Sequence, residues 1–240
     1  MRDLSALIKA YDIRGVVPDQ WDVEEARVLG AAYAHILESE RTGEARRALV
    51  LGRDMRPSSR WLGDAFAQGV CSQGWDVIDI GLASTDGLYF ASGSMDLPGA
   101  MFTASHNPQE YNGIKLCRAG ATPVGQDTGL AAIRDLAQEG VPSFEGTAGA
   151  LSVSDVLADY ATYLLNLVPI EPKRALTVVV DAGNGMAGFT APAIMEKLNV
   201  DLVPMYFELD GNFPNHEANP IEPENLKDLQ KMVKKHKADI

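Results

Sequence analysis

Cysteine is scarce. Cys71 and Cys117 are the only two in 240 residues, and neither stands in a metal-ligand spacing. A disulfide framework or a zinc site therefore has nothing to be built from, and a reducing compartment is the simpler expectation. Long apolar runs are missing as well. No window approaches the length of a membrane span. The opening MRDLSALIKAYDIRG carries charge at Asp3, Lys9 and Asp12 and has no uninterrupted apolar stretch of the signal-peptide kind. A soluble, cytoplasmic protein with no membrane role is expected. Positive charge is in deficit: 21 Lys and Arg stand against 33 Asp and Glu, a formal net charge of -12. That balance opposes docking on a phosphate backbone. The one basic cluster, Lys231 to Lys237, closes a segment that opens on Glu222 and Glu224, where late positive charge complements a helix macrodipole. No nucleic-acid partner is expected.

Hydrophobic residues make up 46% of the chain, enough for one large domain or two of common size. Between Asp22 and Ser39, Val23, Ala26, Leu29, Tyr33 and Ile36 or Leu37 recur at helical spacing, with Asp22 as N-cap and Glu25 three residues on. ALVLGRD (Ala48 to Asp54) predicts a strand, and the segment from Arg56 to Gly74 a helix through Trp61, Ala65, Phe66 and Val70. Strands are expected at Trp75 to Gly81, Gly99 to Thr103 and Gly113 to Cys117, with helices at Ser84 to Ala91 and near Gly125 to Gln138. Alternation of this kind implies a layered α/β domain. The small, turn-forming stretch EGVPSFEGTAG (Glu139 to Gly149) marks a boundary near residue 148. Beyond it, a helix from Ser152 to Leu167, a strand at Leu176 to Asp181, a helix from Gly188 to Leu198, a strand at Asp201 to Tyr206 and a helix from Glu222 to Lys237 repeat the same logic. The expected architecture is two consecutive three-layer α/β/α domains with mixed sheets, residues 1–148 and 149–240, the second incomplete.

The most informative stretch is FTASHNPQEYNGIKL, Phe102 to Leu116. An apolar strand feeds Ser105, His106 and Asn107 into a turn at Pro108, lifting reactive side chains onto an exposed loop at a strand end, where ligands of open α/β sheets bind. Proline removes a donor and biases Asn107 away from helix. A bare Ser-His-Asn-Pro also fits a plain polar turn. A protease-like Ser-His pair is disfavoured, because neighbours in extended backbone point to opposite sides.

TASHNP followed by EYNGIKL resembles the phosphoserine loop of the alpha-D-phosphohexomutases, most closely the bacterial phosphomannomutase/phosphoglucomutase branch. KAYDIRG (Lys9 to Gly15), GRDMRPSS (Gly52 to Ser59), VVVDAGNGMAG (Val178 to Gly188) and DGNFPNHEANP (Asp210 to Pro220) agree in the same order, so the likeness spans nearly the whole chain. The resemblance implies that Ser105 carries the exchanged phosphoryl group and binds magnesium through its phosphate. Residues 1–148 and 149–240 would then be the family's domains I and II. Lys115 and Arg14 match residues that act near the attacking or leaving hydroxyl. Lys115 is the better acid or base, since arginine stays charged. His106 is carried over as a further catalytic residue, and Tyr11 and Asn107 as substrate-binding residues. The implied reaction interconverts the 6- and 1-phosphates of mannose or glucose through a hexose 1,6-bisphosphate, which serves as intermediate and activator. The partners are then small-molecule hexose phosphates, and the residues indicate no oligomeric state.

Three readings compete with this one. A phosphoglucosamine mutase shares the serine loop. The family's Asp-Gly-Asp-Gly-Asp-Arg metal loop does not occur in these residues; relatives place it just after the point corresponding to Ile240. That allows a non-catalytic fragment or sugar-phosphate binding module, and makes this chain alone a poor mutase or none. Gly183, Gly185 and Gly188 form a Gly-x-Gly-x-x-Gly after a strand, with Glu208 beyond, the loose fingerprint of a dinucleotide site. Asp181 would set a negative charge beside a pyrophosphate, so close helix-to-strand packing is the preferred reason for the glycines. In GRDMR, a structural ion-pair network of Arg53, Asp54 and Arg56 is expected. His35 and His236 have no partner suggested by spacing, and His216 is an open question.

Overall fold

The computed structural model describes residues 2–170 and 173–240. Strand β1 (Ile13–Val16) leads into helix α1 (Val23–Glu40). A full capping box opens α1, in which Asp22 accepts from the backbone of the first turn and Glu25 reaches back to the Asp22 N–H at 3.0 Å. Strand β2 (Ala48–Arg53), helix α2 (Pro57–Ser72), strand β3 (Asp76–Leu82), helix α3 (Thr85–Met95) and strand β4 (Gly99–Phe102) follow. Next come β5 (Tyr111–Arg118), the short β6 (Thr122–Pro123), α4 (Leu130–Glu139) and β7 (Leu151–Val153).

These strands form one mixed sheet in the order β1-β5-β4-β2-β3-β7, with β6 paired to β5. The β2, β3, β4 and β7 pairings are parallel, whereas β5 runs antiparallel to both β1 and β4. Side chains alternate across the pleat, and the two faces are covered differently. Leu49, Leu51, Ala100, Phe102, Ile114 and Leu116 join α1, α2 and α4 in one buried cluster. On the other face, Val50, Gly99 and Cys117 meet Leu88 of α3. The first unit therefore has three layers. Helices α1 and α2 touch almost backbone to backbone: a Cβ on Gly30 would lie 2.2 Å from the Phe66 carbonyl oxygen, and one on Gly69 would lie 1.9 Å from that of Arg27.

In the second unit, α5 (Leu157–Leu167), β8 (Leu176–Asp181), α6 (Ala187–Met195), β9 (Val200–Met205) and α7 (Lys227–His236) repeat the alternation. β8 and β9 pair in parallel, α5 packs on α6 and α7 on β8. The last residues run along the other edge of β8, where Val179 N–H donates to the Ile240 carbonyl at 3.0 Å and Asp239 N–H to that of Thr177 at 2.8 Å. The mixed character expected of both sheets is thus found in the first, while the described strands of the second are parallel.

Several boundaries differ from the sequence expectation. The helix expected from Ser152 starts at Leu157, because Leu151–Val153 pairs with β3 first. Gly149 makes this return possible: a Cβ there would stand 1.9 Å from the Trp75 carbonyl oxygen. By its contacts the first unit comprises Met1–Ala104 and Glu110–Asp155, running past the expected division near residue 148. The second comprises Ser105–Gln109 and Val156–Ile240. The helix expected at Gly125 to Gln138 is a 3-10 turn (Gln126–Thr128) followed by α4, broken at Gly129 with φ 152°. The helix expected from Glu222 likewise opens as a 3-10 turn, Pro223–Leu226. The α3 helix runs four residues past Ala91 to Met95, capped by Ser84. Trp61, read as part of the buried stripe of α2, is 45% exposed, whereas Ala65, Phe66 and Val70 are buried.

Candidate active site

The chain leaves β4 at Phe102 and passes through buried Thr103 and Ala104 into the serine loop. Thr103 N–H donates to the Gly113 carbonyl at 3.0 Å, so the β4–β5 ladder is held up to the last residues before the loop. A buried polar network fixes the returning strand. Asn112 donates to Ser58 Oγ at 2.7 Å and to Ser59 Oγ at 2.9 Å. Ser59 in turn donates to Asp54 Oδ1 at 2.6 Å, and Arg56 donates to the Tyr111 carbonyl at 3.0 Å. Arg56 pairs with Asp54, and Arg53 pairs with Asp79 at 3.1 Å. GRDMR thus forms the ion pairs expected of it. Buried charges held by such bonds resist rearrangement, and these brace β5 where it begins.

Ser105 and His106 are exposed and Asn107 is half-buried. Ser105 has φ 55°, a left-handed backbone rare for a serine. This corrects the expectation of extended backbone: Ser105 Oγ and His106 Nδ1 approach to 3.4 Å instead of pointing apart. That separation is long for a hydrogen bond. Strained φ values cluster at functional sites because the surroundings must enforce them.

Lys115 and Arg14 come together on one carboxylate. Asp12, 3% exposed, accepts from Lys115 Nζ at 3.1 Å and from the Arg14 guanidinium. β5 lies inside the sheet between β1 and β4, so Lys115 is not a solvated lysine on an edge strand. Arg14 faces Gly113 across the ladder, which places Arg14 and Lys115 on the same face, the one covered by α3. Tyr89 of α3 borders this cluster; burial, then the nearby Cys117 and Asp12, push its phenol up. Tyr11, on the turn just before, is 79% exposed. Asp12 was missed by sequence reasoning. The signal was available in KAYDIRG, where the carboxylate sits two residues before the arginine, on the same side of a strand.

In the second unit, His216 answers the open question with a definite partner. Its Nε2 lies 3.1 Å from Asp181 Oδ2, and its ring meets Tyr206 edge to face at 5.5 Å. The glycine motif is engaged around it. Gly183 N–H donates to Asp181 at 2.9 Å, and its φ of 51° suits glycine. A Cβ on Gly188 would stand 2.1 Å from the Phe207 carbonyl oxygen, the close packing preferred as the reason for that glycine. Among the described residues, neither His35 nor His236 enters an ion pair or a ring contact, and no helix is long and apolar enough to cross a membrane. No group of three or more His, Cys, Asp or Glu among them stands together to hold a metal ion. Ser105 alone offers a single ligand, so these residues do not make up a magnesium site.

Comparison with known proteins accords with the serine loop and its braced strands. The model of phosphoglucomutase/phosphomannomutase alpha/beta/alpha domain I matches residues 5–141, and that of domain II matches residues 158–240. "Phosphohexose mutases" of Xanthomonas campestris pv. campestris is 42% identical over 97% of this chain and 50% of its own length. "Phosphomannomutase/phosphoglucomutase" of Pseudomonas aeruginosa is 37% identical over 98% of this chain and 49% of its own length. The chain spans about half the length of the curated relatives it matches. Among solved structures, a phosphoglucomutase/phosphomannomutase family protein of Burkholderia thailandensis superposes with a TM-score of 0.88 at 33% identity, over 99% of this chain and 52% of that one. With its three-layer first unit, its serine loop and both domain matches in sequence order, the chain belongs to the phosphoglucomutase/phosphomannomutase family.

Proposed function

We propose that this chain carries the phosphoryl-exchanging serine of a phosphohexose mutase acting on hexose 6- and 1-phosphates of mannose or glucose. The observation that carries this reading is the pairing of Lys115 and Arg14 on one buried carboxylate, on the strands that brace the stem of the serine loop. Two cations held in place suit a reaction whose charge lies on phosphoryl oxygens, where positioning and electrostatic stabilisation supply most of the rate.

In the proposed cycle the phosphoryl group leaves phospho-Ser105 for a hydroxyl of the bound hexose monophosphate. The P–O bond to serine breaks as the P–O bond to the sugar forms, giving a hexose 1,6-bisphosphate. The sugar reverses, and Ser105 takes the other phosphoryl group back. Lys115, held as an ammonium, gives a proton to the leaving serine oxygen and takes up the proton released by the attacking hydroxyl, ending as it began, while Arg14 stays charged and steadies the phosphoryl oxygens. His106 and Asn107 border the serine, and exposed Tyr11 meets the sugar. Magnesium would neutralise the phosphoserine, but the described residues supply no carboxylate set for it.

The test is to incubate the chain with hexose 1,6-bisphosphate and map phosphorylation by peptide mass spectrometry. Phosphate on Ser105, absent from Ser105→Ala, supports the reading. Binding of hexose phosphate that is indifferent to Ser105→Ala, with no phosphoserine formed, replaces it with a sugar-phosphate binding module.

A further inference from the structure

The cluster around Asp12 has features that a surface ion pair lacks. Asp12 is 3% exposed, and its Oδ2 is shared between Lys115 Nζ and the Arg14 guanidinium. Both cations keep roughly a fifth of their side-chain surface open, 23% for Lys115 and 22% for Arg14. The anion is hidden and the cations are reachable. The turn that carries Asp12 is itself fixed: Ile8 bridges Ile13, Lys9 N–H donates to the Asp12 carbonyl at 2.8 Å, and Gln126 N–H donates to the Ala10 carbonyl at 3.0 Å. Gly113, opposite Arg14, admits no side chain between the strands, because a Cβ there would lie 2.4 Å from the Ile13 carbonyl oxygen.

We propose that Asp12 is a positioning residue of the site, holding the Lys115 ammonium and the Arg14 guanidinium at fixed points on the sheet face. This rests on the reading of Lys115 and Arg14 as the cations of phosphoryl transfer. A lysine on a four-carbon stem samples many rotamers when its ammonium has no partner. An incoming sugar hydroxyl or phosphoryl oxygen would then have to order it at every turnover. With the ammonium already bonded to a buried carboxylate, that ordering is complete before the substrate arrives, and fixed charges need no reorganisation as charge develops. The carboxylate also spaces the two cations, whose mutual repulsion would otherwise drive them apart.

The experiment is carried out on the whole chain and does not require turnover. In the unsubstituted protein, the two Hε protons of Lys115 should be inequivalent by NMR and its methylene motion restricted, in contrast to the exposed Lys234 and Lys235. Acylation by an amine-selective reagent, read as site-by-site rates by mass spectrometry, should rise several-fold at Lys115 in Asp12→Asn. The rates at Lys234 and Lys235 should stay unchanged, and Asp12→Glu should restore much of the protection. A degenerate, mobile Lys115 in the unsubstituted chain overturns the proposal even if Asp12→Asn fails to fold. An unchanged Lys115 rate in a folded Asp12→Asn overturns it as well. Where Ser105 is phosphorylated by hexose 1,6-bisphosphate, Asp12→Asn should slow the transfer by up to about 100-fold with little change in half-saturation, the scale of a misplaced catalytic group. Failure of Ser105 to take phosphate in the unsubstituted chain counts against the mutase reading alone, since ordering of Lys115 is measured without it.

Discussion

His216 points its Nε2 at both carboxylate oxygens of Asp181, 3.2 and 3.1 Å away, and its Nδ1 at the carbonyl oxygen of Glu217, 2.8 Å away. Both partners only accept hydrogen bonds, so both ring nitrogens must donate, and the arrangement calls for an imidazolium. Burial draws the His216 pKa down, but the Glu217 carbonyl, Asp181 and the charge of Asp228 together outweigh it, and the net shift is upward. A raised folded-state pKa gives stability that is fully present below the unfolded value, about 6.5, and is lost as pH rises through the folded one. The second unit should therefore unfold more easily above neutral pH than at pH 6. His216→Gln should flatten that dependence, as read by urea unfolding across pH. NMR titration of His216 that gives a midpoint at or below the free imidazole value would refute it.

Gly30 and Gly69 set the spacing of α1 and α2. Alanine at either must push a carbonyl away from less than 2.5 Å, and overpacking of this kind costs about 1–3 kcal/mol. Gly63 on α2 is the control. Its nearest neighbours are side-chain carbons of Phe102 at 3.7 Å and Leu51 at 3.9 Å, so Gly63→Ala should be neutral or stabilise by up to about 1 kcal/mol through helix propensity. Chemical denaturation of the three variants decides. Equal loss in all of them would show that helix spacing is not what these glycines protect.

Tyr33 donates to the Cys117 carbonyl at 2.7 Å, joining α1 to β5 across 84 residues. Burial pushes the phenol well up in pKa, so it stays neutral and keeps donating at any working pH. Tyr33→Phe leaves a buried carbonyl short of this donor and should cost about 1–3 kcal/mol by urea unfolding, with little change in the circular dichroism of the folded state.

Asp22→Ala removes the capping side chain at the start of α1. The expected loss is about 1 kcal/mol, measured by the same unfolding transition. Asp22→Asn should recover most of it, because the amide oxygen still accepts from the first turn.

The left-handed Ser105 leads to paired measurements. Ser105→Gly should remove backbone strain and raise the unfolding free energy by about 1 kcal/mol, while abolishing any phosphate incorporation at that position. A glycine variant no more stable than Ser105→Ala would mean that the serine backbone is unstrained.

Local pattern made much of this protein legible in its sequence. The capping box at Asp22 and Glu25, the apolar run Ala48 to Arg53 and the strand Leu176 to Asp181 each lie within a few residues and were readable as such. What local pattern misjudged depends on distant pairing. Leu151–Val153 is a strand only because the edge of β3 is there to bond it, and its three side chains are exposed, so no hydrophobic alternation announces it. Trp61 fits the helical spacing of Ala65, Phe66 and Val70, yet it is exposed where they are buried.

The sequence by itself determined which residues are the candidates for the chemistry, because Ser105, Lys115 and Arg14 sit in short motifs that can be read locally. Only the tertiary structure decided how they are held. Lys115 and Asp12 are 103 positions apart, His216 and Asp181 are 35 apart, and Asn112 reaches Ser58 and Ser59 from across the sheet. Pairing and packing between segments distant in sequence set those contacts. Neither can be read from a single segment, because a buried carboxylate acquires its partners only when the chain has folded around it.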